Sequence, residues 1–144
     1  MVELVIVIAI IGSLAAIGIP RFQQYMDKIK NQKAVEDIRA IEAGLTKYFD
    51  ENNTYPGSLG PTGMGNMRDP WGNPYRYLWI QGNPDPSVPG KVRLNRFNVP
   101  VNTDFDLYST GPDGRSNKSF LHVDSRDDIV RAYNGTYFGR VSDL

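Results

Sequence analysis

Residues 4–20 read LVIVIAIIGSLAAIGIP and contain no charged side chain, and one carboxylate, Glu3, stands just before them. As an α-helix this stretch would be about 25 Å long, slightly less than the ~30 Å hydrocarbon core of a bilayer. A cleaved signal peptide is disfavoured, because the leading side is acidic and no small-residue cleavage pattern follows. A plain membrane anchor would explain the apolar residues but not Glu3, since an unpaired carboxylate beside hydrocarbon is costly.

The apolar pattern continues beyond this stretch with helical periodicity. Between Arg21 and Tyr55 there is no proline, and apolar residues recur at steps of three to five, which is typical of one helix face. We therefore expect one helix from near the N-terminus to about Glu51. Its first half is apolar all round and must be buried in lipid or in other subunits. Its second half carries one stripe that should cover a sheet: Phe22, Met26, Ile29, Ala34, Ile38, Ile41, Leu45 and Tyr48.

Four residues, Gly12, Ser13, Gly18 and Pro20, weaken the first half of this helix. Gly12 and Gly18 are each about 1 kcal/mol less favourable than alanine, and Pro20 removes a backbone donor and clashes with the carbonyl four residues before it. The segment from Gly12 to Pro20 is therefore where a long helix would kink or unwind. Glycines are also common in ordinary transmembrane helices, so the residues alone leave both interpretations open.

The remainder of the chain predicts a small sheet. Alternating apolar and polar residues indicate three strands, Tyr75–Ile80, Val92–Val99 and Phe105–Ser109, which short connections would make antiparallel. The predicted fold is α+β, a long N-terminal helix packed on this sheet. The predicted organisation is a hydrophobic helix over 1–21, its amphipathic continuation over 22–52, a helix-to-sheet loop over 53–74, and a sheet-based globular part with an acidic C-terminal loop over 75–144.

Composition excludes several classes of function. The 144 residues contain 16 basic and 16 acidic side chains, so the net charge is zero and nucleic acid is not an expected partner. The absence of cysteine excludes disulfide scaffolds and thiolate metal sites. The single histidine, His122, excludes a multi-histidine metal site and is expected to lie in a loop. No phosphate-binding loop, nucleophile elbow or dinucleotide motif occurs, so we predict no catalytic residues and no enzyme.

The segment VELVIVIAIIGSLAAIGIPRF, residues 2–22, closely resembles the N-terminal helix of type IV pilins and type II secretion pseudopilins. In that family a prepilin peptidase cuts after a glycine, and the mature chain begins with a methylated phenylalanine and has a glutamate at its fifth position. Glu3 matches that glutamate, so we expect the sequence to begin two residues into the mature form, and no methylation site is assigned. The resemblance implies assembly roles for Glu3, Gly12 and Pro20.

Three later segments resemble pseudopilin motifs: Asn52–Pro56 the "YP" after the long helix, Asp69–Tyr75 the "DPWGNPY" motif, and Asp106–Gly114 the "DLxSxGxDG" motif. Together they resemble the major pseudopilin of type II secretion more than a disulfide-clasped pilin. The resemblance implies a structural subunit that polymerises with itself into a helical filament. It would enter the bacterial inner membrane as a precursor, meet a prepilin peptidase and assembly machinery, and end in a periplasmic or cell-surface filament.

Two alternatives to that interpretation stay open at this point. A secretion pseudopilus and a type IV pilus use the same kind of subunit. A membrane-anchored binding module or enzyme, with the helix as a simple anchor, would need convergent chemical groups in the globular part.

In pseudopilins the third motif leads into a calcium-binding loop, and its acidic residues offer the hard oxygens that calcium prefers, although no EF-hand spacing is present. In this chain Arg115 and Lys118 fall where the family has glycines, and their charges could neutralise the carboxylates without an ion. A solvated acidic loop in which Ser125 caps a short helix is another interpretation. The calcium ligands that the resemblance implies are the carboxylates of Asp113 and Asp128, with backbone or hydroxyl oxygens from Leu107 and Ser109.

Overall fold

The structure is a computed structural model that describes all of residues 1–144. Its elements are one helix and four strands: α1 (Val2–Asn52), β1 (Arg76–Trp79), β2 (Phe105–Ser109), β3 (Ile129–Ala132) and β4 (Tyr137–Arg140). The predicted α+β class is confirmed. The chain divides into two units, residues 1–30 and residues 31–144, which are described separately.

The first unit consists of helix alone. Its residues are helical from Val2 onward, including Pro20, and side chains 1–29 are all exposed. The hydroxyl of Ser13 donates to the carbonyl oxygen of Ala9 at 2.8 Å, a local bond within the helix. The space around Gly12 and Gly18 is open, because a Cβ at either position would meet no atom within 4 Å. Nothing within this unit buries its aliphatic side chains.

The second unit contains the end of α1 and the whole sheet. The helix ends at Asn52, and Asn53 adopts a left-handed conformation (φ 55°) while its N–H donates to the carbonyl oxygen of Phe49 at 2.7 Å. The strands follow one another in the order β1-β2-β3-β4, each antiparallel to the next. In the registers, Tyr77 lies opposite Leu107 and Tyr108 opposite Val130.

The prediction of a strand over Val92–Val99 is wrong, and the strands β3 and β4 were not predicted. Residues 92–99 make only an isolated bridge, between Leu94 and Ser119. The N–H and carbonyl groups of Asn95 and Asn98 bond to each other, which closes a turn and leaves Phe97 87% exposed. This turn explains why the apolar alternation breaks after Arg96.

One face of the sheet packs on α1. From Ala34 onward the predicted stripe is correct, and its central residues, together with Phe105 and Leu107 of β2, form the main core. The prediction is wrong for the first part of the stripe, since Phe22 is 65% exposed and Met26 and Ile29 are also exposed. The self-packed unit begins only at Asn31, so earlier apolar residues have no partner within it. The helical residues that are completely buried are Ala34, Ile38, Ile41 and Leu45.

The opposite face of the sheet carries a second, smaller core. Successive side chains of a strand point to opposite faces, so Val130 and Ala132 of β3 lie away from the helix. They pack with Val101, Phe120 and Val141, which come from the loops and the C-terminal 3₁₀ helix. The sheet is therefore covered on both faces.

Buried polar contacts fix the helix against the sheet. The guanidinium of Arg131 in β3 is 4% exposed and pairs with Glu42 of α1 at 2.6 Å and with Asp104 at 2.6 Å. The hydroxyl of Tyr75 donates to Asp37 of α1 at 2.9 Å, and burial together with this bond raises the pKa of Tyr75. Because hydrogen bonds and ion pairs are directional, these contacts restrict the position of residues 31–52 of the helix on the sheet more than apolar packing alone would.

Candidate assembly helix and candidate calcium loop

The candidate assembly residues lie on a helical surface that is apolar on every side. Glu3 occupies the first turn of α1, and Gly12 and Pro20 lie within the helix. The exposed fractions of the large side chains between them are high, for example 54% for Ile10 and 66% for Leu14. This helix is long and apolar enough to cross a membrane. A continuous apolar surface of this size in water marks a membrane or protein contact.

The helix-weakening residues Gly12, Gly18 and Pro20 do not unwind the helix in the single chain. Pro20 has no N–H, so the carbonyl of Ala16 lacks its usual helical donor. The residues from Gly12 to Pro20 nevertheless stay helical. A weakened but intact helix is compatible with a second conformation when other contacts become available.

Two of the motifs found in the sequence meet at the end of β2. Asp69 is 4% exposed, and its Oδ1 accepts from the N–H groups of Trp71 and Asn73 at 3.1 and 2.8 Å. Its Oδ2 accepts from the hydroxyl of Ser109 at 2.5 Å, while the side-chain amide of Asn73 donates to the carbonyl oxygen of Gly111 at 3.0 Å. The 69–75 motif therefore holds the beginning of the loop between β2 and β3, residues 110–128, and sequence reasoning did not anticipate this pairing.

The first two implied calcium ligands are already engaged by the protein. Leu107 lies inside β2, opposite Tyr77, and is 1% exposed. The hydroxyl of Ser109 donates to Asp69 and accepts from the N–H of Gly111 at 3.1 Å. Both residues hold the end of the strand.

The third implied ligand, Asp113, is exposed. Its Oδ1 accepts from the N–H of Arg115 at 2.7 Å, which forms a local turn. Its own N–H donates to Oδ2 of Asp127 at 3.3 Å. The side chain of Arg115 is exposed and makes no ion pair, so it does not neutralise Asp113 as the sequence had suggested it could.

The fourth implied ligand, Asp128, is completely buried and is paired with a cation that the sequence did not suggest. Its Oδ2 lies 2.6 Å from Nη2 of Arg93 and accepts from the hydroxyl of Ser116 at 2.6 Å. Burial raises the pKa of Asp128 to about 6, and the positive charge of Arg93 opposes that rise. Lys118 instead donates to the carbonyl oxygen of Gly90 at 3.4 Å.

Arg93 is held on several sides. It is 3% exposed, its Nη1 donates to the hydroxyl of Ser116 at 2.5 Å, and its guanidinium carbon lies 4.0 Å from the ring centre of Tyr108 and 5.0 Å from that of Phe120. Its backbone N–H donates to Oδ2 of Asp106 at 2.7 Å. Sequence periodicity could not predict the ion pair between Arg93 and Asp128, because the two residues lie far apart along the chain.

The four implied ligands, as arranged here, do not fit a calcium ion. Calcium takes six to eight oxygen ligands from carboxylates, hydroxyls and backbone carbonyls, whereas the two implied carboxylates, Asp113 and Asp128, belong to no group of three His, Asp or Glu side chains. A divalent cation at Asp128 would also face the guanidinium of Arg93 at short range. Calcium binding therefore remains a prediction from the family resemblance.

The proposed capping role of Ser125 is also wrong. Ser125 ends the 3₁₀ helix Val123–Ser125, and the residue before this helix, His122, caps it by accepting from the N–H of Asp124. The hydroxyl of Ser125 instead accepts from the N–H of Asn117 at 2.9 Å and donates to the carbonyl oxygen of Asn117 at 2.8 Å. Ser125 thus closes the 117–125 part of the loop. His122 lies in this loop, as expected.

Comparison with known proteins shows similarity along most of the chain. The type II secretion system core protein G of Pseudomonas aeruginosa is 31% identical over 140 residues, covering 83% of this chain and 85% of that protein. Its counterpart from Aeromonas hydrophila is 31% identical over 137 residues, covering 81% of this chain and 82% of that protein. The type IV major pilin protein PilA of Myxococcus xanthus is 35% identical over 77 residues, which cover 54% of this chain and 34% of PilA. No protein-family model matches the chain.

Proposed function

The chain belongs to the family of type II secretion system core protein G, the major pseudopilin, and we propose that it is the repeating subunit of a helical pseudopilus. Its relatives are structural filament proteins. The similarity to core protein G spans the globular part as well as the helix, whereas that to PilA covers about half of the chain. This difference favours a secretion pseudopilus over a type IV pilus.

One observation carries the proposal: the apolar helix of residues 1–29 is exposed, while residues 31–144 bury their own cores. Residues 31–144 have two cores of their own and cover both faces of their sheet. Residues 1–29 are exposed throughout, and their apolar surface extends past Pro20 to Phe22, Met26 and Ile29. Other copies of the same helix supply an apolar surface of matching chemistry. We therefore place the contacts between subunits over residues 2–29.

Glu3 would set the axial register of the subunits. A carboxylate within an apolar interface is stable only beside a positive partner. No basic side chain of residues 1–30 can pair with Glu3, because the first one, Arg21, lies about 27 Å further along the helix. We propose the amino terminus of a neighbouring copy as that partner.

The segment Gly12–Pro20 would change conformation on assembly. In a membrane the helix must satisfy every backbone group internally, and the helical state of the single chain fits that setting. In a filament, close contacts with other copies replace lipid, and Pro20 already weakens the helix there. Solid-state NMR of filaments labelled at Gly12 and Gly18 should give extended-chain carbonyl shifts. Helical shifts at both glycines would contradict this part of the proposal.

The remaining partners follow from the same role. We place the precursor in the bacterial inner membrane and the assembled form in the periplasm or at the cell surface. The partners are a prepilin peptidase and an assembly machinery that extracts subunits from the membrane. The proposal includes no enzymatic activity. The alternative, a binding module or enzyme with the helix as a simple anchor, would not explain a carboxylate at Glu3.

Deletion of residues Val2–Pro20 tests the proposal. The truncated protein should be a folded, water-soluble monomer, because every core residue lies in the unit 31–144. It should form no filaments under conditions in which the full-length chain does, as judged by electron microscopy and sedimentation. Long filaments from the truncated protein would show that the helix is not the assembly element.

A further inference from the structure

The loop between β2 and β3, residues 110–128, has a charge arrangement different from that of a calcium loop. Its last residue, Asp128, is completely buried directly before β3 and is paired with Arg93, which lies outside the loop. The exposed acidic residue, Asp113, makes only local bonds to backbone N–H groups. The buried negative charge is thus neutralised by a side chain of the protein.

Arg93 is part of a segment that holds the loop along its length. The N–H of Leu94 donates to the carbonyl oxygen of Lys118 at 2.9 Å, and the N–H of Phe120 donates to the carbonyl oxygen of Leu94 at 3.0 Å. The carbonyl oxygen of Arg93 itself accepts from the N–H of Val101 at 2.9 Å. These backbone bonds bring the guanidinium next to Asp128.

The guanidinium contacts both the middle and the end of the loop. Ser116, in the middle, accepts from Nη1 of Arg93 and donates to Oδ2 of Asp128, so each of the three side chains is bonded to the other two. Nε of Arg93 and Oδ1 of Asp128 are buried without a partner. The rings of Tyr108 and Phe120 lie against the guanidinium and exclude water from it. A planar cation with several donors suits this site better than a spherical ion that needs six or more oxygens.

We propose that Arg93 takes the structural role that the family resemblance assigns to calcium, so that the 110–128 loop folds without a metal ion. A calcium ion at Asp128 would have to bind Oδ1, the buried oxygen that has no partner, and its charge would then be repelled by the guanidinium of Arg93 on Oδ2. This inference concerns the fold of the loop and does not depend on the proposed filament role.

The first test uses the wild-type, full-length protein in detergent. Its thermal unfolding is followed by tryptophan fluorescence in EGTA, in millimolar calcium chloride and in millimolar magnesium chloride. A metal that binds only the folded form must raise the melting temperature as its concentration rises. We expect the same melting temperature in all three solutions. A saturable rise with calcium chloride that is absent with magnesium chloride would overturn the proposal.

The second test changes the guanidinium and the residue that it shares with Asp128. Arg93→Lys keeps the charge but loses the planar donor set, and we expect its melting temperature to fall by about 10 °C. Ser116→Ala removes only the shared hydroxyl and should lower it by a few degrees, which keeps the test informative if Arg93→Lys does not fold. Arg115→Gln, an exposed cation of the same loop, is the control and should melt like wild type. Wild-type melting of Ser116→Ala would contradict the proposal, and so would wild-type melting of Arg93→Lys.

Discussion

Residues 1–30 and residues 31–144 both contain long aliphatic side chains at helical spacing on α1, but only those of the second region are buried within the chain. Ile10 is 54% exposed, whereas Ile41 is completely buried. The two isoleucines have the same chemistry and the same secondary structure. What differs is the presence of a sheet, so the second region folds by itself and the first requires a partner.

The two regions also place their acidic residues differently. Glu3 precedes an apolar stretch that contains no cation. Glu42 lies on the same helix, but its Oε1 is 2.6 Å from Nε of Arg131. The second region therefore supplies a cation for Glu42, whereas the apolar stretch that follows Glu3 supplies none. Two pairs of substitutions separate assembly from folding on this basis, and a pH dependence tests the second region alone.

The largest effect is expected from the same substitution made once in each region. Ile41→Ala removes buried methyl groups and should lower the free energy of unfolding by about 2–5 kcal/mol. Ile10→Ala should leave that free energy unchanged, because Ile10 is exposed and lies outside the unit 31–144 that holds both cores, and should reduce filament yield. Urea unfolding and quantitative electron microscopy give the two readouts. Equal losses of unfolding free energy for Ile10→Ala and Ile41→Ala would contradict the claim that only the second region buries its aliphatic side chains within the chain.

The next largest effect is expected from substitutions of Glu3 in the first region and Glu42 in the second. Glu3→Gln and Glu3→Val, introduced into the gene in its native host, should abolish or strongly reduce filaments while the protein still inserts into the membrane. Glu42→Gln should instead lower the free energy of unfolding by roughly 1–3 kcal/mol, since it weakens a charged hydrogen bond to buried Arg131. Asp27→Asn, an exposed acidic position of the first region, is the control for Glu3. Filaments at wild-type yield from Glu3→Val would refute the register role.

The smallest effect is a pH dependence that belongs to the second region. Burial raises the pKa of Asp128 in the folded state from 3.8 to about 6, and burial also raises the pKa of Asp106. Between about pH 4 and pH 6 Asp128 therefore binds more protons in the folded state than in the unfolded state. The contribution of Asp128 to the free energy of unfolding should fall as the pH rises through that window, by at most about 3 kcal/mol.

Urea unfolding of full-length protein at a series of pH values measures this slope. Asp128→Asn should flatten it, whatever its effect on stability at a single pH. Asp113→Asn, an exposed carboxylate of the same loop, should leave the slope unchanged. A slope that Asp128→Asn does not alter would assign the dependence to other groups.

The long helix and the α+β class could be predicted because they depend on local pattern. The apolar periodicity ran without a proline from Arg21 to Tyr55, and the helix ends at Asn52, close to the predicted Glu51. The missed hairpin β3–β4 also had a local signal. Asn134 and Gly135 are both left-handed (φ 55° and 85°) in its turn, and Asn-Gly between two short apolar runs is a strong hairpin signal.

The candidate loop could not be predicted in the same way, because its contacts join distant parts of the chain. Asp69 and Ser109 belong to separate motifs, and Arg93 and Asp128 lie on opposite sides of β2 in the sequence. Periodicity carries no information about such pairs. The exposed first part of the apolar stripe, up to Ile29, was missed for a related reason: sequence shows an apolar face but not where the sheet beneath it ends.

A map of the assembled filament at side-chain resolution tests the central claim most directly, because it shows what covers residues 2–29. The account predicts that the apolar side chains from Leu4 to Ile29 are buried against the helices of neighbouring copies. It also predicts that Glu3 lies within hydrogen-bonding distance of a neighbouring amino terminus. A filament held together only by contacts among residues 31–144, with these side chains facing solvent or lipid, would contradict it.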